Sequence, residues 1–164
     1  MLQQSKTPRD IAIKFLMQNS DKRMDILKQL GIGRYVFLTK MHLNEANIVC
    51  VMRFLGNSYQ VKFPKLMGAD LSALVLDNAN FIRGDLTDAN LRGASLIDAD
   101  LIFANLTNAD LREANLTGAT LNETIWNGAL VEGCLLDKSI GLTQKQRKDL
   151  QIRGARFESL EDDK

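Results

Sequence analysis

Apolar side chains recur at every fifth position through the middle of the chain. From residue 64 to residue 138 the sequence divides without a gap into 15 pentapeptides, and the third position of each is apolar. Twelve of these third positions are Leu, and the other three are Phe81, Trp126 and Val131. The first position is Ala in ten pentapeptides, and the second is Asp or Asn in eight. The middle of the chain is therefore a five-residue repeat.

A period of five fits neither a helix nor a straight strand. A rotation of about 100° per residue would spread the leucines around a helix, and the alternation of a strand would point them to opposite faces. The leucines share one interior only if the chain bends at every pentapeptide. The first and third positions then point inward, and the second, fourth and fifth face solvent. A chain that keeps bending the same way is predicted to wind into a solenoid.

The pattern resembles the A(D/N)LXX motif of the pentapeptide-repeat proteins, and residues 99–118 show it in its fullest form. This resemblance implies a mainly β solenoid, a right-handed quadrilateral β-helix with four pentapeptides per coil. Fifteen pentapeptides would then make about four coils, roughly 18 Å long at a strand spacing of about 4.8 Å. The chain is similar to small members that are abundant in cyanobacteria. We expect Leu74 and Thr124, which replace the small first residue, to distort their coils, and Trp126 to lie near an end.

Residues 1–58 are predicted to form an α-helical bundle that caps the first coil. Thr7 and Ser20 are the predicted N-caps of the first two helices. A third, shorter helix is predicted over residues 35–41, and a fourth from near Asn44 to Gly56. Phe63 is expected to plug the first coil.

Residues 142–164 are predicted to form a C-terminal cap after a repeat domain of residues 59–141. Thr143 and Gln146 match a capping box that opens a helix, and Gly154 ends it. Residues 155–159 then restore the repeat for one degenerate rung. Three apolar cap residues are expected to cover the apolar second positions near the end of the repeat: Leu142, Leu150 and Ile152 over Ile125, Leu130 and Leu135.

The charges are unevenly divided along the chain. Residues 1–63 carry 10 basic and 4 acidic side chains, whereas residues 64–138 carry 5 and 11. The acidic solenoid suggests a regulator of a DNA-handling enzyme by partial DNA mimicry, although a rod this short presents little of the charged length of a duplex. The basic bundle suggests nucleic-acid binding. Its basic side chains, however, are spread among the helices without aromatic side chains between them, so nucleic acid is not favoured as a partner. These basic residues are Lys14, Lys22, Arg23, Lys28 and Arg34.

No catalytic, cofactor or metal constellation converges in the sequence. The repeat aspartates occupy outward positions, and His42 has no nearby Ser or Cys partner. Cys50 and Cys134 are predicted to be buried packing residues. We therefore expect a non-enzymatic protein without a cofactor, a metal or a small-molecule substrate. The lack of a long apolar run and of a signal-peptide core predicts a cytoplasmic protein with no membrane partner.

One outward apolar cluster interrupts the polar walls of the predicted solenoid. If residues 20 apart stack, Ile82 and Ile102 share a column, Phe103 lies beside Ile102, and Ile97 lies on the preceding face. Such a patch is typical of a docking or dimer surface, and the alternative is that the bundle or the C-terminal tail folds over it. We predict a rigid protein-protein interaction surface for an unknown protein partner, with self-association as a further expectation.

Overall fold

The structure is a computed structural model that describes residues 6–58 and 62–158. Its helices are α1 (Pro8–Leu16), α2 (Ser20–Gln29), a 3-10 helix (Val36–Thr39), α3 (Glu45–Gly56) and α4 (Gln144–Ile152). None of these helices is long and apolar enough to cross a membrane. The segment between α3 and α4 is the solenoid.

Parallel bridges join residues 20 apart along the solenoid, from Lys65–Asp85 to Thr120–Ile140. Each coil therefore contains four pentapeptides and has four walls, one for each pentapeptide. Within residues 62–158 the ladder consists of isolated bridges and not of extended strands. The expectation of mainly β structure is therefore corrected: the walls pair through single bridge residues, because each wall is too short for more than one.

The first and third positions of the pentapeptides fill the interior of the coils. In the central coils, Leu101, Ala104, Leu106 and Ala109 are fully buried. Burying one such leucine contributes about 1.5–3 kcal/mol before the entropy of ordering the chain is subtracted. The prediction that these positions point inward is confirmed.

A β-turn at the fifth position ends each wall. In all 15 pentapeptides this residue has a positive φ, and in ten of them it is not glycine. The next N–H donates to the carbonyl of the third residue, at 2.7–3.1 Å in twelve of the turns. This hydrogen bond lengthens to 3.4 Å at Leu74 and to 3.3 Å at Thr124 and Ser139. The predicted distortion at Leu74 and Thr124 is thus a small stretching of the turn.

The second-position Asp and Asn side chains hold each wall from outside. In all eight pentapeptides that carry one, its Oδ1 accepts a hydrogen bond from the N–H two residues later, at 3.0–3.2 Å. Asp100 holds Ile102 in this way, and Asn105 holds Thr107. This Asx-turn is the local reason for Asp or Asn at this position.

Helix α3 covers the open end of the first coil through the buried side chain of Asn47. Its Nδ2 donates to the carbonyl of Asp70 at 3.0 Å, and its Oδ1 accepts from the N–H of Asp70 at 2.9 Å. These are the two bonds that the backbone of a preceding coil would form. Arg53 likewise donates to the carbonyl of Met67 at 2.8 Å. Side chains of the bundle therefore replace a missing coil.

An aromatic cluster joins the bundle to the first coil. The ring centroid of Phe37 lies 5.2 Å from that of Phe81 and 6.0 Å from that of Phe54. The prediction that Phe63 plugs this end is wrong, since Phe63 is 44% exposed. Phe81 already occupies the third position inside the first coil, so Phe63 remains outside.

Two details of the bundle differ from the prediction. Thr7 caps α1 in a capping box with Asp10, as expected. The N-cap of α2 is Asn19, whose side chain accepts from the N–H of Lys22, and Ser20 is the first helical residue. The third segment is a 3-10 helix of four residues and not an α-helix over residues 35–41.

Helix α4 covers only the interior of the last coil. The Thr143–Gln146 capping box is confirmed, and Leu150 is fully buried over the core. Ile152, however, is 77% exposed, and Ile125 and Leu130 remain 43% and 48% exposed. The prediction that the cap covers these outer side chains is therefore wrong, because α4 packs Leu150 onto the core of the last coil and leaves Ile125 and Leu130 exposed.

The degenerate rung that follows α4 is present. Arg156 forms a parallel bridge with Leu135, and Ala155 is buried at a first position. Ser159, the last residue of the predicted rung, lies outside the described residues.

Candidate interaction surface

Ile82 and Ile102 lie at the fourth positions of the same wall, one coil apart. The bridge between Asn80 and Asp100 fixes their register, and the N–H of Arg83 donates to the carbonyl of Ile102 at 2.8 Å. Both isoleucines are half-buried. Their side chains therefore form a short apolar column on the outside of this wall.

Phe103 stands at the corner that ends the wall. Its φ is +57° and its side chain is 47% exposed. The guanidinium carbon of Arg83, one coil earlier, lies 4.7 Å from the centroid of the Phe103 ring and 5.7 Å from that of Phe63. Arg83 is thus in cation–π contact with both rings, each contact contributing about 0.5–1 kcal/mol at an exposed site.

The sequence analysis did not identify Phe63 and Arg83 as part of this surface. Their signal is the 20-residue spacing of residues 63, 83 and 103, which is the length of one coil. We call Phe63, Ile82, Arg83, Ile102 and Phe103 the side-wall surface.

Ile97 lies on the preceding wall and not on the side-wall surface. Its N–H donates to Oδ1 of Asp77, one coil earlier, at 3.1 Å. Ser95 occupies the second position of this pentapeptide, so Asp77 provides the acceptor that Asp or Asn provides elsewhere. Of the four predicted patch residues, the structure places three on one wall and its corner, and Ile97 around the neighbouring corner.

The side-wall surface continues into a cavity of about 190 Å³ between the bundle and the first coil. Phe63 and Ile82 line this cavity together with Arg34 and Lys62. With Arg83, this end of the surface carries three basic side chains. The surface therefore combines apolar, aromatic and cationic groups.

Arg23, a basic residue singled out in the sequence, has a structural role. Arg23 is almost fully buried and donates to the carbonyls of Leu16, Thr39 and Met41. It joins the end of α1 to the 3-10 helix, so it is not available to a nucleic acid. In the described residues, no three His, Cys, Asp or Glu side chains are placed to hold a metal ion.

Several carboxylates of the repeat are held in local contacts. Asp110 accepts two hydrogen bonds from the guanidinium of Arg112, at 2.9 and 2.7 Å. This hydrogen bonding lowers the pKa of Asp110 and favours its ionised form. An ionised Asp110 has no proton to give as a general acid.

Both thiols are buried, and we expect neither to react in the native protein. Burial raises the pKa of Cys50 and of Cys134 to about 12. Since the thiolate is the attacking species, a disulfide reagent at about pH 8 should modify less than about a tenth of either thiol in an hour, and both should react after unfolding in urea. Rapid modification of the native protein, followed by absorbance, would contradict this burial.

Comparison with known proteins agrees with the repeat geometry. The family model of pentapeptide repeats matches eight copies, over residues 65–101, 76–113 and 94–125. A comparison with curated proteins finds no match.

The chain is similar to several solved structures. One is a pentapeptide repeat protein from the thylakoid lumen of Arabidopsis thaliana, with 26% identity over 56% of this chain and 78% of that one, and a TM-score of 0.30. Another is from Nostoc PCC 7120, with 29% identity over 64% of this chain and 93% of that one, and a TM-score of 0.27. HetL from Nostoc sp. strain PCC 7120, a protein involved in heterocyst differentiation regulation, shares 27% identity over 46% of this chain and 44% of its own length, with a TM-score of 0.20.

The matched segment contains the bridges 20 residues apart, the buried third positions and the Asx-turns of the second positions. Residues 65–125 therefore carry the repeats of the pentapeptide-repeat family.

Proposed function

We propose that the chain is a non-enzymatic protein whose side-wall surface binds another protein. The observation that carries this proposal is the exposed column of Phe63, Arg83 and Phe103 beside Ile82 and Ile102. Aromatic and Arg side chains are enriched at protein interfaces. The backbone beneath them is hydrogen-bonded from coil to coil, so little conformational entropy remains to be lost on binding.

The two caps favour the walls of the solenoid, rather than its ends, as the surface that binds a partner. Unpaired ends of a solenoid invite stacking with other chains. Here α3 and α4 occupy those ends, and their side chains bond to backbone groups of the terminal coils. The walls are therefore favoured over the capped ends for this interaction.

Several parts of the proposal rest on the sequence and the family resemblance. These are the right-handed sense of the coil, self-association and the cytoplasmic location, which stay predictions. A protein partner is favoured over nucleic acid because the basic side chains of the bundle are dispersed and Arg23 is buried.

The double variant Ile102→Asp with Phe103→Ser tests the side-wall surface. It should fold as a monomer, lose any self-association seen by light scattering, and fail to retain proteins that the native chain captures from a lysate of its source organism. The carboxylate of Asp and the hydroxyl of Ser replace two apolar side chains. The loss of this apolar contact should lower the affinity for the partner by about tenfold or more.

The matched control is Thr107→Asp with Asn108→Ser. It places the same side chains at the fourth and fifth positions of the next wall. It should retain the same oligomeric state and the same proteins as the native chain. If both double variants, or neither, lose these partners, the side-wall surface is not the interface.

A further inference from the structure

A groove of about 720 Å³ lies between the last coil and α4. One side is the segment of residues 123–128, and the other carries Lys145, Gln146, Asp149 and Arg153. Its volume is within the range of ligand-binding clefts. None of the side-wall residues lines it.

The carbonyl groups along this edge of the last coil are already hydrogen-bonded. In the preceding coils, first-position carbonyls accept from N–H groups of the next coil. In the last coil, Nε2 of Gln146 donates to the carbonyl of Thr124 at 3.2 Å, and Nη1 of Arg153 donates to that of Ala129 at 2.9 Å. The cap thus supplies the donors that a further coil would supply.

The N–H groups of the same edge have no such replacement. In the preceding coil, the N–H groups of Leu106 and Asn108 donate to carbonyls of the last coil at 2.9 and 2.8 Å. The equivalent N–H groups of Trp126 and Gly128 form no hydrogen bond with any residue of 6–58 or 62–158. They are two residues apart, which is the spacing of donors on one edge of a strand.

Two buried side-chain donors at the groove are also unpaired within the described residues. Trp126 is only 5% exposed, and its Nε1 has no hydrogen-bond partner. The same holds for Nε of Arg153. Leaving a buried N–H without an acceptor costs about 1–3 kcal/mol. Within the described residues, this edge of the last coil therefore has two backbone N–H donors without acceptors, and two buried side-chain donors of residues that line the groove are also unpaired.

We propose that this groove binds an extended peptide segment of a partner protein. Carbonyl groups of the peptide, two residues apart, accept hydrogen bonds from the N–H groups of Trp126 and Gly128. Carbonyls on one edge of an extended chain recur at every second residue, as these two donors do. The exposed side chain of Ile125, which also lines the groove, provides an apolar contact.

This site is independent of the side-wall surface, and its fluorescence test does not depend on the proposed function. Trp126 is the single tryptophan of the chain, so its emission reports on the groove. The probe is the capped peptide Ac-Ala-Asn-Leu-Thr-Gly-NH2, which has the sequence of residues 114–118. We expect a saturable shift of the emission at millimolar peptide, and slower hydrogen exchange of the Trp126 and Gly128 amides by about tenfold.

A matched pair of variants separates the groove from non-specific binding. Ile125→Glu should weaken peptide binding by at least about fivefold, because it places a charge at the apolar contact. Leu130→Glu alters the same position of the next wall, with similar exposure but outside the groove, and should bind like the native chain. The double variant Ile102→Asp with Phe103→Ser should also bind normally.

The proposal is overturned by any of three results. The first is no saturable change in emission up to about 10 mM peptide. The second is an equal loss of binding in the Ile125→Glu and Leu130→Glu variants. The third is protection of amides elsewhere in the chain while those of Trp126 and Gly128 exchange as before.

Discussion

The variant Leu101→Ala is expected to lower the free energy of unfolding by about 2–5 kcal/mol. Leu101 is fully buried at the third position of a central coil. The bridges of Asn80 with Asp100 and of Asp100 with Thr120 fix the spacing of the coils on either side. The coils therefore cannot collapse into the cavity that the leucine leaves. Urea unfolding followed by far-ultraviolet circular dichroism measures the loss.

Leu130→Ala is the matched control for this core variant. Leu130 lies in the same repeat architecture but at a second position, where its side chain is 48% exposed. Its truncation should change the free energy of unfolding by no more than about 0.5 kcal/mol. Similar losses for the two variants would mean that the third positions do not form the principal core.

The variant Asn47→Ala is expected to cost about 2–4 kcal/mol, although it removes only a small polar side chain. It leaves both the N–H and the carbonyl of Asp70 without their partners, and each such group costs about 1–3 kcal/mol when buried. It also removes a donor from the carbonyl of His42, at 2.9 Å. The same urea titration measures this loss.

Asn127→Ala is the comparison for the capping role of Asn47. Asn127 is an exposed asparagine at a fourth position of the last coil. Its replacement should leave the unfolding midpoint almost unchanged. If Asn47→Ala were equally mild, the first coil would not depend on α3 for its missing backbone partners.

The inward positions of the solenoid could be predicted because they follow from local spacing. Leucine at every fifth residue admits one shared interior only when the chain bends at each pentapeptide, and the burial of Leu101 and Leu106 follows directly. The starts of α1 and α4 were predictable for the same reason, whereas the N-cap of α2 is Asn19 and not the predicted Ser20. The caps at Thr7 and Thr143 depend on residues within one turn of each other.

Contacts between distant residues could not be predicted in this way. Asn47 bonds with Asp70 across 23 residues, and its sequence context is that of any helical asparagine. Phe63 precedes the first pentapeptide, so the repeat pattern does not predict whether its side chain is buried. It is exposed because Phe81 already fills the first coil. Of the residues on the side-wall surface, Ile82, Ile102 and Phe103 were in the predicted patch, and the contact of Arg83 with two rings was not predicted.

The four-walled coil makes each pentapeptide a step of about 90° around the axis. An insertion of 20 residues would lengthen the solenoid by one coil and leave the stacking of residues on each wall intact. An insertion of five would instead rotate everything beyond it by a quarter turn, and placed between Arg83 and Phe103 it would carry the ring to a different side of the molecule. Changes in length within this protein are therefore compatible with its surface only in whole multiples of the coil.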